Sequence, residues 1–101
     1  MKNKIYISGK ISGLDINEAK ENFYYSVRQI TKMHIFGIIV NPFNIKPFLS
    51  VKNWMCYMIS DLLVLKKCTH IAMQKNWIES KGAVIEYCFA KLIFKQEIIW
   101  L

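Results

Sequence analysis

The sequence predicts an α/β fold: a small doubly wound sheet of four parallel strands, a flavodoxin- or Rossmann-like three-layer sandwich. Three observations predict it. Four short runs of β-branched and apolar residues alternate with three stretches of helical spacing, in the order β-α-β-α-β-α-β. The strand-like runs are continuously apolar rather than alternating, as strands covered on both faces are. No linker, repeat or shift of composition interrupts the 101 residues, so residues 1–101 read as one domain. Right-handed crossovers between parallel strands then give the strand order 2-1-3-4.

Each element has its own signal. Lys4–Ser8 is a β-branched run stopped by Gly9, and forms the first strand. Gly9 to Asn17 is a loop with two glycines. From Asn17 to Lys32, Ala19, Phe23, Val27 and Ile30 recur at helical spacing, with Glu18 and Glu21 in the first turn, where the helix dipole favours acids. His34–Val40 is the predicted second strand, ended by Asn41-Pro42, and the loop from Asn41 to Val51 carries both prolines. Val51–Lys67 predicts a second helix, with Trp54, Met58, Leu62 and Leu65 on one stripe and Lys66 and Lys67 at its C-terminal end. Thr69–Gln74 is the third strand, Lys75–Lys81 a loop, Gly82–Phe94 the third helix and Glu97–Leu101 the last strand.

Composition narrows the class of function. With 53% hydrophobic and 21% charged residues the chain is not intrinsically disordered. No apolar stretch approaches the ~18 residues of a membrane span, so no membrane partner is expected. Met1-Lys2-Asn3-Lys4 leads straight into the first strand without a long apolar segment, and Cys56, Cys68 and Cys88 are an odd number without paired spacing. A cytoplasmic protein with reduced thiols is expected. The net charge of +7 comes almost wholly from lysines scattered along the chain, with Arg28 the one arginine. A reader of nucleic-acid sequence ordinarily uses clustered arginines, which this chain lacks, so a nucleic-acid partner is not favoured. The charge itself serves solubility, or attracts a phosphorylated small molecule or nucleic acid, and alone does not choose between them. The acids are Asp15, Glu18, Glu21, Asp61, Glu79, Glu86 and Glu97, with His34 and His70 the only histidines. Neither these nor the cysteines show zinc-ligand spacing, so no metal is expected.

In a sheet of this topology, ligands bind beyond the carboxyl ends of the strands, beside the switch between the first and third. The loops after Ser8, Val40 and Gln74 meet on that rim. Tyr6-Ile7-Ser8-Gly9-Lys10-Ile11-Ser12-Gly13 is a strand running into a glycine turn, which serves either as a plain turn or as a cradle of N–H groups for an anion. It is neither a dinucleotide fingerprint nor a P-loop. Asp61, among the apolar residues of the second helix, is either a solvated polar-face residue or a carboxylate with a task. Ser80 caps the third helix, whose first N–H groups, near Gly82, can hold an anion. Glu86 lies about one turn inside that helix. It is either a surface carboxylate or a nucleophile, and the dipole favours its ionised form.

Taken together, Tyr6–Gly13, Asp61 and Ser80-x-Gly82-x-x-x-Glu86 resemble the nucleoside 2-deoxyribosyltransferase superfamily, which includes the 2'-deoxynucleoside 5'-phosphate N-hydrolases. Within it the chain is similar to short bacterial and phage-type members of unassigned function that share Ile-Ser-Gly-Lys/Pro-Ile-Ser-Gly, Asn-Pro and Trp-x-x-Ser-x-Gly-Ala-x-x-Glu. The resemblance spans nearly the whole chain. It implies cleavage or transfer of the N-glycosidic bond of a (deoxy)nucleoside or nucleoside 5'-monophosphate. Glu86 would attack the anomeric carbon, Asp61 would assist departure of the base or hold sugar and base, and Tyr6 would support the nucleophile. Ser8, Gly9, Lys10, Ile11, Asn41, Ser80 and Gly82 would bind the substrate, and no cofactor is implied. Where the family commonly carries a second Asp at the start of the third strand, this chain has Thr69. A non-catalytic nucleotide-binding or sensing module on the same fold is the alternative. Relatives assemble as dimers or larger, and Phe43, Phe48, Trp54, Phe94 and Trp100 are more apolar surface than four strands readily cover, so a homo-oligomer is expected.

Overall fold

The computed structural model describes residues 3–11 and 13–101; Met1, Lys2 and Ser12, the last a member of the first-loop motif, lie outside the described residues. Strands β1 (Lys4–Ser8), β2 (Ile38–Val40), β3 (His70–Met73) and β4 (Glu97–Trp100) form one all-parallel sheet in the order β2-β1-β3-β4. Helices α1 (Ile16–Lys32), α2 (Trp54–Lys66) and α3 (Lys81–Cys88) make the connections. Class and strand order are those predicted.

The pleat splits the core in two. Ile5, Ile7, Ala72 and Ile99 point to one face and pack on Phe23 and Ile30 of α1. Tyr6, Ile71 and Met73 point to the other, where they meet Leu65 of α2 and Ala90 just beyond α3. Each helix starts at a side-chain cap. Asp15 accepts from the Asn17 N–H at 3.2 Å, Asn53 from Cys56 at 2.8 Å and Ser80 from Ala83 at 3.2 Å. On α1 the buried stripe takes in Ser26 as well as Ala19, Phe23 and Ile30, and Val27 is half-buried. The Ser26 hydroxyl donates to the Asn22 carbonyl and accepts from the Gln74 amide, which satisfies a polar group inside the core.

Several boundaries move, each for a local reason. The second strand is Ile38–Val40, not His34–Val40, because α1 ends with Met33 as its C-cap and His34 then turns left-handed at φ 59°. Gly37 passes so close to the Asn3 carbonyl that a Cβ there would collide with it. α2 begins at Trp54 rather than Val51 because Asn53 is its cap. The loop before it holds two single 3-10 turns, Pro42–Asn44 and Phe48–Ser50. β3 and β4 are each a residue or two shorter than expected, and α3 gives way to a π turn over Phe89–Ile93. Phe43 and Phe94 pack against the two cores, whereas Phe48, Trp54 and Trp100 remain exposed. Among the described residues no helix is long and apolar enough to cross a membrane.

Candidate functional site

The site is built on the alternation of β1. Since Ile5 and Ile7 face α1, Tyr6 and Ser8 stand side by side on the opposite face, beneath α3. Glu86, in the second turn of α3, comes down between them. The Tyr6 hydroxyl donates to Glu86 Oε2 at 2.5 Å and the Ser8 hydroxyl to Oε1 at 2.7 Å. Glu86 is only 5% exposed. Burial pushes its carboxyl up to about 7; the two donated hydrogen bonds pull it down, and the negative charge of Asp61 adds to the rise. This corrects the expectation of a carboxylate kept ionised by the helix dipole. The dipole fades beyond the first turn, Glu86 lies in the second, and desolvation wins. Near neutral pH protonated and ionised forms coexist. The Tyr6 hydroxyl stays protonated, since burial and then the nearby carboxylates Glu86 and Asp61 hold it well above its usual range.

Above this carboxyl opens a cavity of about 660 Å³, at the carboxyl end of β1 and between the first turns of α2 and α3. Tyr6, Asp61 and Glu86 all line it. Burial raises the Asp61 carboxyl to about 6. Met58, Tyr57 and Trp54 from α2 form one wall. Gly9, Lys10 and Ile11 form a second, and Ser80, Gly82 and Ala83 a third. Pro42, Phe43 and Ile45 close the side below β2, while Lys52, Lys81 and Glu79 stand among the remaining lining residues.

Of the residues expected at the site, Tyr6, Gly9, Lys10, Ile11, Asp61, Ser80, Gly82 and Glu86 meet at this cavity. Ser8 and Asn41 do not line it. Ser8 is spent behind the cavity on Glu86, a positioning contact in place of the expected substrate contact. The Asn41 side chain turns back to accept from the Phe43 N–H at 2.9 Å, which caps the 3-10 turn after β2. Gly9 has a packing duty as well: a Cβ there would run into the Gln74 side chain, which crosses over it to Asn22 and Ser26 on α1. Lys10 donates its main-chain N–H to Asn76 Oδ1 at 3.1 Å, joining the loops that follow β1 and β3. The Ser80 hydroxyl accepts from the Ala83 N–H as a helix cap and keeps its own O–H to donate, alongside the main-chain N–H groups of Lys81 and Gly82 in the first turn of α3. Thr69 lies at the amino end of β3, where its hydroxyl exchanges hydrogen bonds with the Lys4 backbone, away from the cavity.

Sequence reasoning placed Trp54 and Met58 in a core stripe and passed over Tyr57, Lys52, Phe43 and Lys81. The signal was present in α2, because Trp54, Tyr57, Met58 and Asp61 recur at i, i+3, i+4 and i+7 and therefore share one face. Trp54 is 42% exposed, and the Lys81 ammonium lies 5.5 Å from the centre of its ring. Among the described residues no group of three or more His, Cys, Asp or Glu side chains could hold a metal ion. Cys56, Cys68 and Cys88 are free thiols.

Residues 3–99 match a family model described as a domain of unknown function, DUF4406, and the chain belongs to that family. No curated protein matches the chain.

Proposed function

We propose that the cavity binds a (deoxy)nucleoside or its 5'-monophosphate and cleaves or transfers its N-glycosidic bond, with Glu86 as the nucleophile. One observation carries this reading: a buried glutamate, oriented through both oxygens by Tyr6 and Ser8, lines a cavity of about 660 Å³ beside a second carboxyl. Each carboxylate oxygen accepts one hydrogen bond and keeps a further lone pair for the anomeric carbon. In the first step a Glu86 oxygen bonds to that carbon as the carbon–nitrogen bond breaks. The departing base keeps the bonding pair and takes a proton from Asp61. In the second step water, or the nitrogen of another base, attacks the same carbon. The bond to Glu86 breaks and the attacking group gives its proton to Asp61. A buried carboxylate also stabilises the oxocarbenium character that develops at the sugar.

The resemblance to nucleoside 2-deoxyribosyltransferases supports this chemistry. The three free thiols suit a cytoplasmic setting, and the exposed Phe48, Trp54 and Trp100 suit a homo-oligomer. The test mixes the protein with deoxynucleoside 5'-monophosphates and follows released base and intact mass. Turnover, with a sugar-phosphate adduct that Glu86→Gln abolishes, is the expected result. A ligand bound and recovered unchanged would replace catalysis with the sensing reading, and turnover undiminished in Glu86→Gln would remove the nucleophile.

A further inference from the structure

The two edges of the sheet are not alike. β2 has three residues and is followed, after Asn41, by Pro42, which has no N–H with which to extend the pairing. β4 pairs with β3 in regular register from Glu97 to Trp100, and neither a proline nor a bulge protects its outer side. The Glu97 and Leu101 N–H groups donate inward, to the Thr69 and Met73 carbonyls. By alternation the main-chain groups of Ile98 and Trp100 point outward along the open edge. Ile98 is half-buried and Trp100 is 51% exposed, packed at its inner side against the tilted rings of Trp77 and Tyr87.

We propose that this edge is a self-pairing surface: β4 of one chain adds antiparallel to β4 of a second copy across a two-fold axis at Ile99, continuing the sheet through both. The sequence of the strand selects that register. The residues whose main-chain groups face outward, Ile98 and Trp100, become mutual partners, each pair exchanging both of its main-chain hydrogen bonds. Ile98 of one copy lies opposite Trp100 of the other, an aromatic against a β-branched side chain, which is a favourable cross-strand pair. The one charge of the strand, Glu97, falls opposite Leu101 of the second copy rather than opposite itself, so no like charges meet. A one-residue slip would turn every side chain to the wrong face. A two-residue slip would in one direction set both Trp100 side chains opposite Gln96, beyond the partner strand, and in the other leave both Ile98 residues without a partner in β4. The π turn that packs against β4 adds further unpartnered surface, with Leu92 69% and Ile93 61% exposed. The proposal is independent of the glycosidic reading.

Light scattering and amide hydrogen exchange on the unmodified protein test it. The expected mass is twice the 11.9 kDa of the chain, with the Ile98 and Trp100 amides exchanging as slowly as that of Ile99. In Ile99→Cys, oxidation is expected to yield a covalent dimer whose crosslinked peptides map to position 99 on both chains rather than to Cys56, Cys68 or Cys88. Trp100→Lys is expected to return the mass to that of one chain with its far-ultraviolet circular dichroism unchanged. Should that variant fail to fold, exchange and crosslinking still decide. A monomer at every accessible concentration overturns the proposal. So does a dimer in which the Ile98 and Trp100 amides exchange freely, since its interface lies elsewhere.

Discussion

A carboxyl buried as deeply as Glu86 leaves a mark on stability as well as on chemistry. Its value rises from 4.5 to about 7 on folding, so between those limits the folded chain holds a proton that the unfolded chain has lost. Stability from this group is fully present below about pH 4.5 and is lost as pH rises through 7, on the order of 3 kcal/mol. Asp61, raised to about 6 by burial, acts in the same direction. Glu86→Gln keeps the shape without the charge, and its amide and carbonyl can still bond Tyr6 and Ser8. The variant is therefore expected to gain stability relative to the natural chain between pH 5 and pH 8, read as a rising difference in urea midpoints. Equal midpoints across that range would show that Glu86 is not buried as described. The same residue gives the opposite outcome for activity, with a loss of at least about a thousandfold where it is the nucleophile. In the proposed mechanism turnover needs an ionised Glu86 and a proton on Asp61, so the pH profile of kcat/KM is expected to be a narrow bell with its maximum between pH 6 and 7. Its limbs belong to the coupled pair rather than to either group.

At the scale of elements, the first turn of α3 serves both the helix and the cavity, and two substitutions separate these duties. Ser80→Ala removes the bond to the Ala83 N–H and is expected to cost about 1 kcal/mol of stability. Gly82→Ala supplies a better helix former, and its Cβ would meet Met58 Sδ at an ordinary 3.6 Å. It is expected to raise the melting temperature through about 0.5–1 kcal/mol of propensity. Because Gly82 also lines the cavity, the added methyl should weaken ligand binding in a calorimetric titration. The elements legible from sequence were those with dense local signals: β1 from its β-branched run, α1 from its stripe, and α3 from Ser80. The predicted second strand runs too far because Ile35 and Phe36 look like strand residues, whereas a left-handed helix end at His34, its N–H and that of Ile35 bonded back to Thr31 and Ile30, takes up this stretch. The approach of Gly37 to Asn3 depends on tertiary contact. For the site, the strand order that puts the loops on one rim, and the resemblance carried by Tyr6–Gly13, Asp61 and Ser80-x-Gly82-x-x-x-Glu86, were what singled out Tyr6, Asp61 and Glu86. The sign of the Glu86 shift was not legible, since it depends on how far Tyr6, Ser8 and their neighbours exclude water. Nor was the duty of Asn41, whose type fits a turn cap and a ligand contact equally well.

Over the whole molecule, charge is distributed unevenly about the cavity. Of the seven acids, Asp61, Glu79 and Glu86 line it, and so do three lysines, Lys10, Lys52 and Lys81. Lys52 and Lys81 flank the first turns of α2 and α3, where helix dipoles and unpaired N–H groups add positive potential. Asp61 and Glu86 lie deeper along those helices, so the cavity has an acidic floor and a rim on which the three lysines outnumber the one exposed acid, Glu79. A ligand with an anionic end and an uncharged sugar fits that gradient, and a nucleoside 5'-monophosphate fits it better than a nucleoside. The excess of seven positive charges over the chain also attracts an anion from a distance, but only within a Debye length of about 8–10 Å at ordinary salt. These contributions separate experimentally. Lys81→Ala is expected to raise KM for a nucleoside 5'-monophosphate about tenfold, as loss of one charge-assisted contact does, while leaving KM for the matching nucleoside within about twofold. Added salt should raise KM for the monophosphate in the natural chain and less steeply in Lys81→Ala. An equal rise for nucleoside and monophosphate would mean that Lys81 acts through its packing on Trp54 rather than through its charge, and the phosphate would then have to be held elsewhere.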